Sequence, residues 1–201
     1  MFKNLWNSCR NGNCSVTIHI CENSTFNNYR IREHFTTLAA CDRFQFGFKS
    51  GHSTSMCTSV FERVTEHYIN RGSHVFVCFI DFSKAFDNVK YWNLLNKLLN
   101  DNIDGNIIRI LAYWFSQQEA CVRWHSVVSQ LFAIGNGTRQ GGVSSPHLFT
   151  RFIWELLSEL ELTRIGCHVS NVIVNVLAYA DDLVLLAPSW RAMQRSIDKS
   201  M

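Results

Sequence analysis

The feature that most constrains this chain is the stretch LAYADDLVLL, residues 177–186, in which two adjacent carboxylates interrupt an apolar run. Burying an unpaired carboxylate is very costly, so Asp181 and Asp182 need a partner, and a cation is the one that such a pair attracts. The flanking residues are β-branched or leucine, which favours strands, and aspartate is common in turns. The pattern therefore predicts a strand, a tight turn and a second strand over residues 172–188, with the acids at the tip.

A second apolar run, HVFVCFID at residues 74–81, also ends on an acid, Asp81. Its length and composition predict a buried strand. If this strand neighbours the hairpin in one sheet, three carboxylates meet at the rim, and hard oxygen donors of this kind suit Mg²⁺. Two such ions about 3.5–4 Å apart would serve an in-line displacement at phosphorus. Two plainer interpretations stay open: the acid pair as ordinary turn chemistry, and Asp81 as the N-cap of a following helix.

The remaining pattern indicates an α+β fold. Apolar periodicity or length predicts four helices, at residues 56–72, 91–99, 106–115 and 144–162. Gly72 is expected to cap the first of them, and Ser145 to be the N-cap of the last, with Pro146 at its first position. Residues 121–134 alternate between apolar and polar or are β-branched, and this pattern predicts a pair of strands. This order favours an antiparallel sheet covered by helices on one face.

Composition sets broad limits. The 201 residues are 47% hydrophobic and 17% charged, enough apolar content for a core, and a net charge of +3 permits a nucleic-acid partner without arguing for one. Neither a signal peptide nor an apolar run of about 18 residues is present, so we expect an intracellular protein without a membrane partner. The eight cysteines are expected to be free thiols in a reducing compartment. A cluster near the start, formed by Cys9, Cys14, His19 and Cys21, lacks the paired close spacing of common zinc sites.

Three stretches, in this order, resemble the central motifs of reverse transcriptases: FIDFSKAFDNV, TRQGGVSSPHLF and YADD. The closest similarity is to non-LTR (LINE-type) retrotransposons, and QFGFKSGHST resembles the segment that precedes the motifs there. The resemblance covers residues 45–190 and implies a polymerase palm with an antiparallel sheet packed on helices, partial fingers and no thumb. Residues 1–44 show no sustained periodicity, so their sequence predicts no particular structure. Residues 191–201 are expected to form a truncated C-terminal helix.

The resemblance assigns the acids to a metal site. Asp81 and Asp181 match the positions that bind both catalytic metals, which are two Mg²⁺ ions in this family, and Asp182 matches the third carboxylate. Phe82 supplies a backbone position beside one metal.

The turn after Asp81 is implied to bind the incoming nucleotide. Ser83, Lys84 and Ala85 would present backbone N–H groups to the triphosphate, as oriented amides do at helix starts. Phe86 matches the aromatic residue that lies beneath the sugar of the incoming nucleotide. Its ring would clash with a 2′-hydroxyl, so deoxynucleotides are favoured. Packing in the core is the alternative role for Phe86.

Two further positions follow from the resemblance. Gln140 and Gly141 match the loop that packs against the incoming nucleotide and the template, and Tyr179 matches the aromatic residue near the primer end. Arg139 adjoins this loop, where it contacts either phosphate or solvent. The sequence departs from the family pattern at Ser144, where leucine is usual.

The implied activity is RNA-directed DNA synthesis from deoxynucleoside triphosphates on an RNA template and a DNA primer, with other domains of a retrotransposon polyprotein missing. Alternatives that stay open are a decayed or co-opted fragment that only binds nucleic acid or a partner protein, and a related polymerase such as a group II intron maturase or telomerase.

Overall fold

The computed structural model describes residues 17–21, 44–139, 141–142 and 144–200. The predictions for Gln140, for Cys9 and Cys14, and for most of residues 1–44 lie outside this part of the chain. The elements in chain order are β1 (Thr17–Cys21), α1 (Thr54–Ile69), β2 (Phe76–Asp81), α2 (Tyr91–Asn100), α3 (Gly105–Ser116), β3 (Glu119–Trp124), β4 (Val127–Val128), β5 (Phe132–Ala133), α4 (Ser145–Leu162), β6 (Cys167–Val169), β7 (Val172–Val174), β8 (Val176–Tyr179), β9 (Asp182–Ala187) and α5 (Trp190–Ser200).

The central sheet of the described residues contains three antiparallel strands in the order β2-β9-β8. The register runs from Phe76 opposite Ala187 to Asp81 opposite Asp182. The predicted strand at 74–81 and the hairpin over 172–188 are therefore both present, and the α+β class with an antiparallel sheet is confirmed. Smaller sheets are formed by β1 with β3, β4 and β5, and by the β6–β7 hairpin.

Helices lie on both faces of the central sheet, rather than on one as the sequence suggested. Because side chains alternate between faces along a strand, Val176 and Leu183 point into the main core, which α2, α3, α4 and α5 complete. Leu177 and Leu186 point into a smaller core on the opposite face, where Val64 of α1 packs against them. Each apolar strand is thus shared between two cores, which explains why its sequence does not alternate with polar residues.

The prediction that residues 74–81 are a buried strand is wrong in one respect. Within the described residues β2 pairs on one side only, with β9, and Phe79 is 74% exposed. The ring of Phe79 lies near that of Phe61 of α1, with 6.4 Å between the ring centroids. α1 therefore covers this edge of the sheet only in part.

Two helix boundaries also differ from the prediction. α4 begins at Ser145, so the N-cap position is Ser144 rather than Ser145, and its side chain makes no capping hydrogen bond. The first turn starts early because the N–H of Ser145 already donates to the carbonyl of Gly142 at 3.3 Å. α1 ends at Ile69 with Asn70 as its C-cap. The prediction that Gly72 caps this helix is therefore wrong, since Gly72, with a φ of 68°, lies two residues beyond the cap.

No helix among the described residues is long and apolar enough to cross a membrane. Of the cysteines that the structure describes, Cys57, Cys78 and Cys167 are free thiols.

Candidate active site

The register of the central sheet places two of the predicted acids face to face. Asp81 is the Cα partner of Asp182, and Asp182 is in turn the partner of Tyr179 on its other side. Directly opposed residues of antiparallel strands share one face and have Cβ atoms about 4.5–5.5 Å apart. Asp81 and Asp182 are exposed, whereas Asp181 and Tyr179 are half-buried. Three sequence-predicted site residues therefore lie side by side at one end of the sheet, with Asp181 next to them in the chain.

A two-residue turn, Ala180 and Asp181, joins β8 to β9. Ala180 has a φ of 58°, the conformation that tight hairpins require at this position and usually fill with glycine. An alanine there is strained, so the surrounding contacts must hold the turn in shape.

The contact that holds this turn comes from Gln45, a residue to which the sequence assigned no role. Gln45 is fully buried. Its Oε1 accepts from the N–H of Ala180 at 3.0 Å, and its Nε2 donates to the carbonyl of Ala180 at 3.1 Å. The only local signal was a polar residue between Phe44 and Phe46 in a short apolar segment, because the partner lies 135 positions away.

Residues 83–88 form a continuous turn after β2. The N–H groups of Asp87 and Asn88 both donate to the carbonyl of Lys84 at 3.0 Å, and Lys84 has a φ of 54°. The amide of Asn88 donates to the carbonyl of Ser83 at 2.8 Å. The next helix, α2, begins only at Tyr91 with Lys90 as its N-cap. The alternative that Asp81 caps a following helix is therefore wrong.

The side chains of this turn point in different directions. Ser83 and Lys84 are exposed, whereas Ala85 is buried in the main core, and Phe82 is partly buried against that core. Phe86 is half-buried and stacks on Phe149, with ring centroids 4.7 Å apart. Both proposed roles of Phe86 are compatible with this position, because a ring that packs on one side keeps its other parts accessible.

The glycine-rich loop packs directly against the turn that contains Phe86. The N–H of Thr138 donates to the carbonyl of Phe86 at 2.8 Å, and the N–H of Gly137 donates to that of Val89 at 2.9 Å. A Cβ atom at Gly137 would lie 3.0 Å from Cα of Asp87, so only glycine allows so close an approach. Arg139, which follows directly, is half-buried.

The end of the loop is itself a turn. The N–H of Gly142 donates to the carbonyl of Arg139 at 3.0 Å, and Gly141 is exposed with a φ of 81°. Gln140 lies between them, outside the described residues. The structure thus brings the first two sequence motifs together through backbone hydrogen bonds, while the third motif meets the first through the strand register.

The donor set at the end of the sheet fits a hard divalent cation. Asp81, Asp181 and Asp182 offer carboxylate oxygens on adjacent rigid positions, which is the ligand type that Mg²⁺ prefers. In the described part of the chain, however, no three His, Cys, Asp or Glu side chains are gathered closely enough to hold a metal ion. The strand register aligns Asp81 with Asp182, so these two acids occupy neighbouring backbone positions without forming such a group.

Comparison with known proteins identifies the class. The sequence profile described as reverse transcriptase (RNA-dependent DNA polymerase) matches residues 23–200, most of the chain, and the chain belongs to this family. Within the family it is similar to polymerases of non-LTR retrotransposons, as the three motifs indicated.

Three relatives show this similarity. A retrovirus-related Pol polyprotein from a type-2 retrotransposable element of Drosophila melanogaster is 26% identical over 160 residues, which is 80% of this chain and 15% of the relative. A putative 115 kDa protein in a type-1 retrotransposable element of the same species is 31% identical over 148 residues, 72% of this chain and 13% of the relative. The RNA-directed DNA polymerase from the mobile element jockey of Drosophila funebris is 25% identical over 150 residues, 75% of this chain and 16% of the relative.

The chain therefore spans between 13% and 16% of the length of these relatives.

Proposed function

We propose that this chain is the fingers and palm core of an RNA-directed DNA polymerase, which extends a DNA primer on an RNA template with deoxynucleoside triphosphates. The observation that carries the proposal is the register of Asp81 opposite Asp182, with Asp181 next to it in the hairpin turn. In a core whose family is established, this pairing joins the two most distant motifs at one end of the sheet. Other domains of a retrotransposon polyprotein would supply the remaining functions.

The proposed reaction is an in-line displacement at the α-phosphorus, in which the primer 3′-oxygen attacks and pyrophosphate leaves. Asp81, Asp181 and Asp182 would hold two Mg²⁺ ions, together with the backbone carbonyl of Phe82. When bound, the ions supply positive charge to the attacking and leaving oxygens. The contribution of the chain would be to hold the backbone of Asp81 and Asp182 on paired strands, with Asp181 in the adjoining turn, so that the backbone need not reorganise at the moment of reaction.

The turn after β2 would place the nucleotide. The exposed Ser83 and Lys84 lie directly after the metal-binding strand, where their N–H groups and the lysine charge would meet the triphosphate. Ala85, buried beneath them, anchors the turn. Phe86, held by its stack on Phe149, would lie against the sugar and exclude a 2′-hydroxyl.

The glycine-rich loop would close the other side of the nucleotide site. Gly141 and Gln140 would pack against the nucleotide and template, and Arg139 would contact a phosphate. This role is supported by the hydrogen bonds that join Thr138 to Phe86 and Gly137 to Val89. Tyr179, which shares a sheet face with the paired acids, would lie near the primer end.

A primer-extension assay with an RNA template, a DNA primer and Mg²⁺ tests the proposal. We expect short products that depend on Mg²⁺ and that disappear in Asp181→Asn. Long products are not expected, since the chain spans only a small part of its relatives. The matched control is Glu62→Gln, which removes one exposed acid from α1 and should leave synthesis unchanged.

Two outcomes would contradict the proposal. If Asp181→Asn synthesised DNA as well as the unchanged chain, the proposed role of the acids in catalysis would be contradicted. Salt-dependent binding of RNA without any Mg²⁺-dependent synthesis would favour a fragment that only binds nucleic acid.

A further inference from the structure

We propose that Gln45 is a positioning residue for this reaction, because its side-chain amide fixes the turn that carries Asp181. The inference rests on the proposed function for its catalytic meaning, and on the hydrogen bonds of Gln45 for its physical basis. Gln45 acts through the backbone of Ala180, the residue directly before Asp181.

The backbone around Gln45 is aligned with β8. The N–H of Ala178 donates to the carbonyl of Phe44 at 2.9 Å, and the N–H of Phe46 donates to the carbonyl of Ala178 at 2.8 Å. Gln45 itself bridges to Ala178 in parallel orientation. The segment is therefore fixed at Ala178, and from there the side chain of Gln45 reaches two residues further, to the turn.

The amide group of Gln45 is used as both acceptor and donor. Oε1 accepts from the N–H groups of Ala180 at 3.0 Å and Gly47 at 2.8 Å, while Nε2 donates to the carbonyl of Ala180 at 3.1 Å. Reversing the amide would place its N–H₂ group against two N–H donors, so the orientation is determined by the network. An ionised glutamate could only accept, and a methionine could do neither, although it has nearly the same length.

Gly47 makes this arrangement possible. A Cβ atom at Gly47 would lie 2.2 Å from the N of Ala180 and 3.1 Å from Oε1 of Gln45. Both contacts are shorter than a side chain can normally make, so any residue other than glycine would push the turn away. Gln45 and Gly47 together form a clamp on the hairpin turn, and we call these two residues the turn clamp.

The turn needs such a clamp because Ala180 has a φ of 58°, which is unfavourable for a residue with a Cβ. Asp182 and the rest of β9 are held by the ladder to β2, whereas Asp181 lies in the turn, outside that ladder. Losing the clamp should therefore displace Asp181 relative to Asp81 and leave the register intact. The expected consequence is weaker metal binding and slower chemistry, with little effect on nucleotide or primer binding.

The test compares Gln45→Met with Gln118→Met in the full chain. Gln118 is also a buried glutamine and accepts from the hydroxyl of Tyr91 at 3.2 Å, so it controls for the loss of any buried amide. Binding of Mn²⁺ alone is measured by electron paramagnetic resonance, and single-nucleotide addition is measured at varied Mg²⁺ and dNTP concentrations. Circular dichroism and urea unfolding give the folded fraction for each variant.

We expect Gln45→Met to weaken Mn²⁺ binding about tenfold and to lower kcat by a similar factor, with the KM for dNTP within about twofold. Gln118→Met should match the unchanged chain once corrected for folded fraction. Equal Mn²⁺ affinity in both variants would overturn the inference. If Gln45→Met does not fold, the same measurements are made on Gly47→Ala. This variant keeps the amide of Gln45 and displaces the same turn, so it should show the same weakening.

The outcomes separate this inference from the proposed function. Mn²⁺ binding that depends on Asp181 and on Gln45, without primer extension, would support the turn clamp and contradict the polymerase activity. Extension that is insensitive to Gln45→Met would support the activity and contradict the clamp. Absence of any Asp181-dependent Mn²⁺ binding in the unchanged chain would overturn both.

Discussion

At the scale of single residues, the pairing of Asp81 with Asp182 serves the proposed catalysis but lowers the stability of the fold. Like charges directly opposite each other on antiparallel strands are destabilising, by a few tenths to about 1 kcal/mol. Without bound cations, Asp182→Asn should therefore raise the free energy of unfolding by about 0.5 kcal/mol at low salt, and less at high salt because both acids are exposed. Urea unfolding in the presence of a chelator measures this difference.

Adding Mg²⁺ should reverse the order of stability of the unchanged chain and Asp182→Asn. A ligand that binds only the folded state stabilises it, so millimolar Mg²⁺ should stabilise the unchanged chain and have a smaller effect on Asp182→Asn. A Glu62→Gln variant serves as the charge control, because it removes an exposed acid of α1 that is not part of the paired strands. A variant that is destabilised in chelator would contradict the repulsion between the two acids.

Phe86 makes a second prediction at this scale. The stack on Phe149 holds the ring in place, as a steric barrier requires, and Phe48 meets the ring edge-on at 6.2 Å. Phe86→Val should reduce the preference for deoxynucleotides over ribonucleotides at least tenfold, measured as the ratio of kcat/KM values. The lost packing should also cost about 1–2 kcal/mol of unfolding free energy.

Phe48→Val is the matched control, because Phe48 touches the ring of Phe86 from an exposed position. It should leave the nucleotide preference unchanged. If Phe86→Val loses stability but keeps its preference, Phe86 is a packing residue only.

At the scale of secondary-structure elements, α2 and α4 are joined by two ion pairs that contribute very differently to stability. Arg151 of α4 binds Asp101 at the end of α2 through two hydrogen bonds, and both side chains are largely buried. The guanidinium also lies 4.7 Å from the ring of Trp154. Lys97 and Glu155 form a second pair at 2.9 Å between the same helices, but Glu155 is half exposed.

Removing one partner of a buried ion pair leaves an uncompensated charge, at a cost of about 3–5 kcal/mol, whereas exposed pairs contribute about 0–1 kcal/mol. Asp101→Asn should therefore destabilise the chain by about 3 kcal/mol and Glu155→Gln by less than about 0.5 kcal/mol. Thermal unfolding of the two variants gives both values. Similar losses in the two would mean that Arg151 reaches solvent when its partner is removed.

The elements also show what the sequence can and cannot predict. The hairpin over 172–188 and the strand ending at Asp81 were recognisable because composition and turn residues are local signals. The pairing of Asp81 with Asp182 is a register between segments a hundred residues apart, and an apolar strand carries no pattern that selects one register. The hydrogen bonds of Gln45 could not be predicted for the same reason, since the donor and acceptor it meets are backbone groups of Ala180.

At the scale of the whole molecule, the central sheet joins two cores, one on each face. The main core contains Tyr91, whose ring stacks on Phe115 at 4.2 Å between centroids. The smaller core contains Cys167, which is fully buried. Its burial against α1 and β7 could not be predicted from composition, because Cys167 stands in a short mixed segment, whereas Cys78, in a long apolar run, is only half-buried.

Burial raises the pKa of ionisable groups in both cores. Desolvation raises the pKa of Cys167 from 9.0 to about 11, although a hydrogen bond from Tyr68 opposes the shift, and it raises the pKa of Tyr91 from 10.0 to about 12. In the unfolded chain both groups lose their protons at the lower values. Because the unfolded state then releases protons that the folded state retains, the stability is fully present below about pH 9 and falls as the pH rises towards 11 and 12.

We therefore expect the free energy of unfolding to decrease between pH 9 and pH 11 by on the order of 1–2 kcal/mol from Cys167 alone. Urea unfolding at half-unit pH intervals measures the decrease. Other groups also titrate in this range, so the decisive quantity is the difference between the unchanged chain and Cys167→Ala, which should lose the part of the slope that begins near pH 9. Cys78→Ala, at a half-buried position on β2, is the matched control for the loss of a cysteine side chain. A decrease of equal size in both variants would mean that the smaller core opens to water before the chain unfolds, and that the two faces of the sheet do not unfold as one unit.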